Sequence, residues 1–329
     1  MAEVLLKVKN LSTLFRTEGG VVKAVDNISF EIRAGETFAL VGESGCGKSV
    51  TALSIMRLIP TPPGEITSGT VEFDGIDLLK LRNREMRAIR GSKIGMIFQE
   101  PMSSLNPVLT IQSQLAEPLK IHMKLSSGAA NDRAEELVNM VGIPDARARL
   151  QQYPHELSGG QRQRIMIAMA MSCAPRLLIA DEATTALDVT IQAQILDLMQ
   201  DVTEQSGTSL LIITHNLGIV ARYADRVAVM YAGKLREVSD ASDMYAEPQH
   251  PYTVGLLRSV PRLDSDKGAP LTPIAGEIPD LTDLPDGCAF NPRCLWAVER
   301  CFTDDPELEE ISTGKRVACF EHASVSLHD

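Results

Sequence analysis

Hydrophobic positions along the 329-residue chain fall into short blocks whose period changes from place to place. In the first third, VLLKVKN (4–10) and ISFEIR (28–33) read as strands, and TFALV (37–41) reads as a buried strand running into a glycine loop. VEFDGIDL carries Asp74-Gly75, a hairpin-turn signal. Residues 111–150 change to helical spacing, clearest in RAEELVNMVGI, with a stop at Gly142 and Pro144. RLLIAD (176–181) and SLLIIT (209–214) are apolar throughout between polar ends, the pattern of strands in a parallel sheet covered on both faces. VAVMYAGKLREV reads as a late hairpin, and HPYTVGLLRSVPRL as a connecting helix. Residues 264–286, rich in Pro, Gly and Asp, read as a linker. The expected architecture is an α/β nucleotide domain over 1–240, a helix and linker over 241–286, and a small cysteine-rich extension over 287–329.

Composition narrows the function classes. Hydrophobic content of 44% and charged content of 23% are those of a globular protein. The start, MAEVLLKVKNLSTLF, lacks the basic and apolar regions of a signal peptide. The longest apolar stretch, Ile165 to Pro175, is about half the length needed to cross a bilayer. A soluble chain able to dock onto a membrane-spanning partner is therefore expected. The net charge of −11 is concentrated late, because residues 263–329 hold 14 acids and 5 bases. An acidic tail on a nearly neutral body argues against a nucleic-acid or anionic-lipid surface.

The chemistry begins at GESGCGKS (42–49), which matches G-x-x-x-x-G-K-[ST] between a buried strand and an expected helix, SVTALSIMRLI. The glycines let backbone N–H groups converge on phosphates, Lys48 reaches the β- and γ-oxygens, and Ser49 offers a hydroxyl to Mg²⁺. At the end of RLLIADE, Asp181 is placed to support Mg²⁺ and Glu182 to orient or deprotonate a water. Ser158 and Gly159-Gly160 create a second anion-ready helix start. One nucleotide needs one phosphate loop. The second helix start therefore points to a nucleotide held by a partner chain, with two chains enclosing two ATP molecules.

LSGGQ (157–161), together with the phosphate loop, ADEATTALD (180–188), Gln99 and His215, resembles the ATP-binding subunit of ABC transporters. FQEPMSSLNP, DVTIQAQI, HPYT and the cysteine segment are similar to the branch serving dipeptide, oligopeptide and nickel importers. The resemblance implies an ABC-type P-loop domain with a RecA-like parallel-sheet core, an antiparallel β subdomain and a helical subdomain near 100–165. It implies ATP binding by Gly42, Glu43, Ser44, Gly45, Cys46, Gly47, Lys48, Ser49 and Val50, with Phe15 stacked on adenine. Ser49, Gln99 and Asp181 would serve Mg²⁺, Glu182 the attacking water, and His215 the γ-phosphate. Ser158, Gly159, Gly160 and Gln161 would cover the partner's nucleotide, and Asp188 would link the two sites. Ala183 stands where the family usually has proline, which relaxes the turn without removing a functional group. Expected partners are a second, paralogous ATPase, two transmembrane permeases and an extracytoplasmic peptide-binding protein, at the cytoplasmic face of the inner membrane, with no nucleic acid. Rival readings are a soluble ABC ATPase of DNA repair or translation, a regulatory nucleotide-binding subunit, an iron–sulfur-assembly ATPase, and an importer of nickel or glutathione.

Six cysteines divide into Cys46 and Cys173, read as structural, and a tail group of Cys288, Cys294, Cys301 and Cys319. A cytosolic setting disfavours disulfides, so the tail group reads as four thiolates on a metal. Its wide spacing leaves zinc and a 4Fe-4S cluster both open, and the resemblance points to 4Fe-4S with zinc as the alternative.

Overall fold

The computed structural model describes residues 3–99, 104–183, 188–259 and 273–327. Along the chain, β1 (Val4–Thr17) and β2 (Gly20–Arg33) are followed by β3 (Thr37–Val41) and α1 (Lys48–Ile55). β4 (Gly64–Phe73) and β5 (Ile76–Asp77) come next, then α2 (Asn83–Ile89) and β6 (Ile94–Ile97). A helical stretch holds α3 (Ile111–His122), α4 (Ser127–Met140), α5 (Ala146–Leu150) and α6 (Gly159–Met171). After β7 (Leu177–Asp181), α7 (Val189–Ser206) and β8 (Ser209–Thr214), the chain continues with α8 (Leu217–Tyr223), β9 (Arg226–Tyr231), β10 (Lys234–Asp240), α9 (Ala241–Ala246) and α10 (Pro251–Arg258). The last strands are β11 (Glu309–Ser312) and β12 (Lys315–Val317).

The chain divides into two compact units. One holds Met1–Glu3, Arg33–Glu36 and Lys80–Ile212; the other holds Val4–Ile32, Thr37–Leu79 and Ile213–Asp329. In the first, β6 and β7 pair in parallel, from Ile94↔Leu177 to Ile97↔Ala180. Every residue of β7 is buried, as its unbroken apolar run predicts. The helices α3 to α5 divide the 111–150 stretch, with Thr110 and Ser126 accepting N-cap hydrogen bonds from the N–H groups of Ser113 and Ala129. Residues 100–103, expected at the start of the helical subdomain, lie outside the described residues.

In the second unit, β1 and β4 pair antiparallel in a four-stranded sheet ordered β2-β1-β4-β5. The Asp74-Gly75 turn closes the β4–β5 hairpin with φ of 51° and 75°, the double left-handed conformation of a type I′ turn. A separate set of strands joins β3 parallel to β9, β9 antiparallel to β10, and β10 antiparallel to β12. That last pairing changes the expected picture of the extension. Glu237 and Val238 of β10 face Val317 and Arg316, so the tail adds strands to a sheet that begins beside the phosphate loop. Cys288, Ala289, Phe290 and Cys301 are buried in one core with Val41, Val229, Tyr231 and Tyr252. Residues 264–272 of the expected 264–286 linker lie outside the described residues.

Candidate functional site

β3 ends at Val41, and the loop that follows is shaped by glycines that no other residue replaces. Gly42 has φ 153°, and a Cβ there would lie 2.2 Å from the Met230 carbonyl oxygen. Gly47 has φ 109°, and its Cβ would lie 2.1 Å from the Ala24 carbonyl oxygen. Gly47 is also the N-cap of α1 and has no side chain to cap it, and helix starts of this kind suit a phosphate. The Lys48 Nζ donates to the carbonyls of Gly42 (2.9 Å) and Glu43 (3.0 Å), which holds the ammonium over the loop. The Cys46 side chain is buried, and burial pushes its thiol up against the opposing pull of Lys48. Ser44 and Gly45 are exposed, and Ser49 and Val50 half-buried, on the loop and the first turn of α1.

Glu43 is held from two sides. Its N–H donates to the Tyr252 hydroxyl at 2.8 Å. Its carboxylate accepts from Arg293 twice, Nη1 to Oε2 at 2.8 Å and Nη2 to Oε1 at 3.0 Å.

The unit containing 80–212 carries the acidic residues. Asp181 ends β7 and is buried. Glu182 follows with φ 45°, left-handed for a residue with a side chain, and its Oε2 accepts from Gln99 Nε2 at 3.0 Å. Gln99 and Glu182, 83 positions apart, are thus brought together. The buried Gln163 donates its amide to the Ala183 carbonyl. In the same unit Ser158 caps α6. Its Oγ accepts from the Gln161 N–H at 3.3 Å, while Gln161 Oε1 accepts from the Ser158 N–H at 3.0 Å. This capping box fixes the Gln161 side chain locally and leaves Gly159 exposed. Asp188 caps α7 by accepting from the Ile191 N–H at 3.0 Å. A Cβ on Gly160 would lie 3.3 Å from Ile191, so the starts of α6 and α7 pack closely.

His215 is exposed at the end of β8, followed by Asn216, which caps α8. Phe15 lies on β1 opposite Gly64 of β4. A Cβ on Gly64 would sit 2.9 Å from the Phe15 ring, so one edge of that ring rests on the β4 backbone.

Cys288, Cys294, Cys301 and Cys319 line a single pocket with Phe290 and Trp296. No disulfide joins them. The expected convergence of the four cysteines is present. Among the described residues, no group of three or more His, Cys, Asp or Glu is arranged to hold a metal ion. Burial raises the Cys288 thiol and pushes Cys294 to about 11 and Cys319 to about 12.

The ABC transporter profile matches residues 25–185, and the profile for the oligopeptide/dipeptide transporter C-terminal region matches residues 237–301. The dipeptide transport ATP-binding protein DppD of Bacillus subtilis is 56% identical over 89% of this chain and 87% of its own length. The oligopeptide transport ATP-binding protein OppD of Bacillus subtilis is 52% identical over 94% of this chain and 86% of its own length. The chain belongs to the ABC transporter ATP-binding family. Among solved structures, the dimeric post-hydrolysis state of the ATP-binding cassette MJ0796 bound to ADP and Pi superimposes with a TM-score of 0.65 at 28% identity, covering 72% of this chain and 99% of that one.

As an ABC ATPase, the protein has contacts that motif reading does not reach. Arg293 and Tyr252 touch the phosphate loop from more than 200 positions away in sequence. Their signals in the sequence are weak: Tyr252 belongs to the HPYT stretch, and Arg293 is one of 5 bases in the acidic 263–329 tail.

Proposed function

We propose that this chain is the ATP-hydrolysing subunit of an importer of peptides, and that hydrolysis at its phosphate loop powers uptake through closure of an ATPase dimer. The observation that carries the reading is the loop itself, glycine-only at Gly42 and Gly47, with a buried ammonium held over it. The peptide cargo rests on the near full-length similarity to dipeptide and oligopeptide transport ATP-binding proteins.

In this reading the N–H groups at the start of α1 and Lys48 bind the phosphates, and Ser49, Gln99 and Asp181 would hold Mg²⁺. The ion, when bound with ATP, neutralises charge building on the phosphoryl oxygens. Glu182 orients and deprotonates the attacking water. Its bond to Gln99 supports this role, because it holds a strained residue at a defined angle. His215 contacts the γ-phosphate, and Phe15 stacks on adenine. The Ser158-capped start of α6 meets the nucleotide of a second ATPase, with Asp188 linking the two sites. A solved neighbour is dimeric with ADP and Pi, which supports that arrangement. The partners are then a paralogous ATPase, two permeases and, through them, an extracytoplasmic peptide-binding protein. The protein would sit peripherally at the cytoplasmic face of the membrane. No helix among the described residues is long and apolar enough to cross one.

Replacing Glu182 by Gln in the assembled transporter tests the reading. ATP binding should persist while turnover falls about 100-fold or more, the usual worth of a positioned base. Unchanged hydrolysis would remove Glu182 from its role.

We assign the expected 4Fe-4S cluster, with zinc as the alternative, to the four-cysteine pocket. Support comes from the convergence of four separated thiols on one pocket. The assignment requires those thiols to rearrange into a ligand set, and no step of hydrolysis passes through it. Metal analysis of anaerobically prepared protein tests it. Iron near four per chain supports the cluster, one zinc the alternative, and neither metal retires the assignment.

A further inference from the structure

We propose that Arg293 is a positioning residue of the phosphate loop, so that the C-terminal extension is a working part of the ATP site. This rests on the reading that the loop binds ATP.

Arg293 lies on a turn, Asn291–Arg293, between Cys288 and Cys294. Its side chain is 4% exposed, and its two terminal nitrogens meet the two carboxylate oxygens of Glu43 fork to fork. Such a bidentate pair fixes orientation as well as distance. The guanidinium has little freedom to leave. Its Nε donates to the Ala275 carbonyl at 3.0 Å, and it lies 5.8 Å from the Tyr231 ring centre and 5.9 Å from that of Phe290. Both rings pack on Tyr252, whose hydroxyl receives the Glu43 N–H.

The extension therefore grips Glu43 by side chain and backbone at once. The Glu43 carbonyl is in turn an acceptor for Lys48 Nζ, so an unbroken series of contacts runs from Arg293 through Glu43 to the phosphate-binding ammonium. An exposed ion pair would be worth little to either fold or function. Here one partner is almost wholly buried, and removing the other end frees the second residue of the loop to move. Only the loop's shape depends on Arg293, because the guanidinium is occupied by Glu43. The variant should therefore weaken nucleotide binding more than it slows chemistry.

The test is steady-state ATP hydrolysis against ATP concentration in the assembled transporter. It uses Arg293→Met, Arg293→Lys, Glu43→Gln and the double variant Arg293→Met/Glu43→Gln, with a melting curve of each subunit. Arg293→Met should raise the KM for ATP about tenfold, with kcat within about twofold. Arg293→Lys should recover part of the loss, since an ammonium replaces one of the two bonds. The double variant should be no worse than the poorer single one. A lowered melting temperature with KM unmoved would make the pair a strap of the fold and overturn the proposal. Equal KM increases from Arg293→Met with Glu43 or Gln at position 43 would also overturn it. If Arg293→Met does not fold, Glu43→Gln and Arg293→Lys decide, and an unchanged KM in both overturns the proposal. Lys48→Ala serves as the control. If it keeps normal ATP dependence, the loop is not the ATP site; if it fails while the Arg293 variants do not, only the bracing is wrong.

Discussion

Gly42 and Gly45 both adopt left-handed backbone in the phosphate loop, yet their surroundings differ. A Cβ on Gly42 meets the Met230 carbonyl at 2.2 Å and the Cys46 sulfur at 2.8 Å, whereas a Cβ on Gly45 has nothing within 4 Å. Gly42→Ala must move backbone, so it should abolish binding of a fluorescent ATP analogue. Gly45→Ala pays only for its φ of 82°, about 1–2 kcal/mol, and should keep measurable binding. Equal affinities for the two variants would contradict the packing argument. Both glycines are visible in the motif, but which of them is sterically irreplaceable is not. The nearest atom against Gly42, the Met230 carbonyl oxygen, comes from β9, nearly 190 positions later.

At the scale of elements, α10 shows how a buried cap ties stability to pH. His250 caps this helix by accepting from the Tyr252 N–H through Nδ1 at 3.0 Å. Its own N–H donates to the Glu237 carboxylate at 3.0 Å. Full burial, with Arg236 nearby, lowers the imidazole to about 3, and the cap requires the neutral ring. The unfolded chain, with an ordinary value of about 6.5, binds the proton more readily, so stability present above 6.5 is lost as pH falls from 6.5 towards 3. The loss should be on the order of a few kcal/mol, followed by chemical denaturation across that window. His250→Asn keeps an acceptor at the cap without a titrating group, so its stability should fall less steeply with acid. An unchanged slope would exclude His250 as the source. The helix itself was legible from HPYTVGLLR, because proline at the first position and a polar residue before it mark a helix start. The burial of its cap was not, since it depends on β10 and the distant tail.

At the scale of the molecule, the extension packs within the compact unit that holds the phosphate loop. Phe290 is 3% exposed and packs against Tyr231, Tyr252 and His250, with ring centres 5.2, 5.4 and 5.9 Å away. Phe290→Ala should therefore destabilise that unit by about 3–5 kcal/mol, read as an earlier denaturation midpoint. A tail that melts early while the main transition stays put would show an independent module instead. From its sequence the 287–329 segment reads as a small cysteine-rich extension set apart by a linker. That reasoning counts only local residues, whereas the burial comes from β12 pairing with β10 and from aromatic residues supplied by α10 and β9.

What the sequence determined by itself was everything carried by local pattern. The unbroken apolar runs of β7 and β8, the Asp74-Gly75 turn, the phosphate loop and the Ser158 helix start all follow from neighbouring residues, because strand period, turn conformation and helix capping are short-range effects. Tertiary structure decided the rest: the meeting of Gln99 with Glu182, the steric enclosure of Gly42, the gathering of four cysteines at one pocket, and the grip of Arg293 and Tyr252 on Glu43. Each joins residues tens to hundreds of positions apart, where the contact depends on how sheets and helices pack and no local spacing records it.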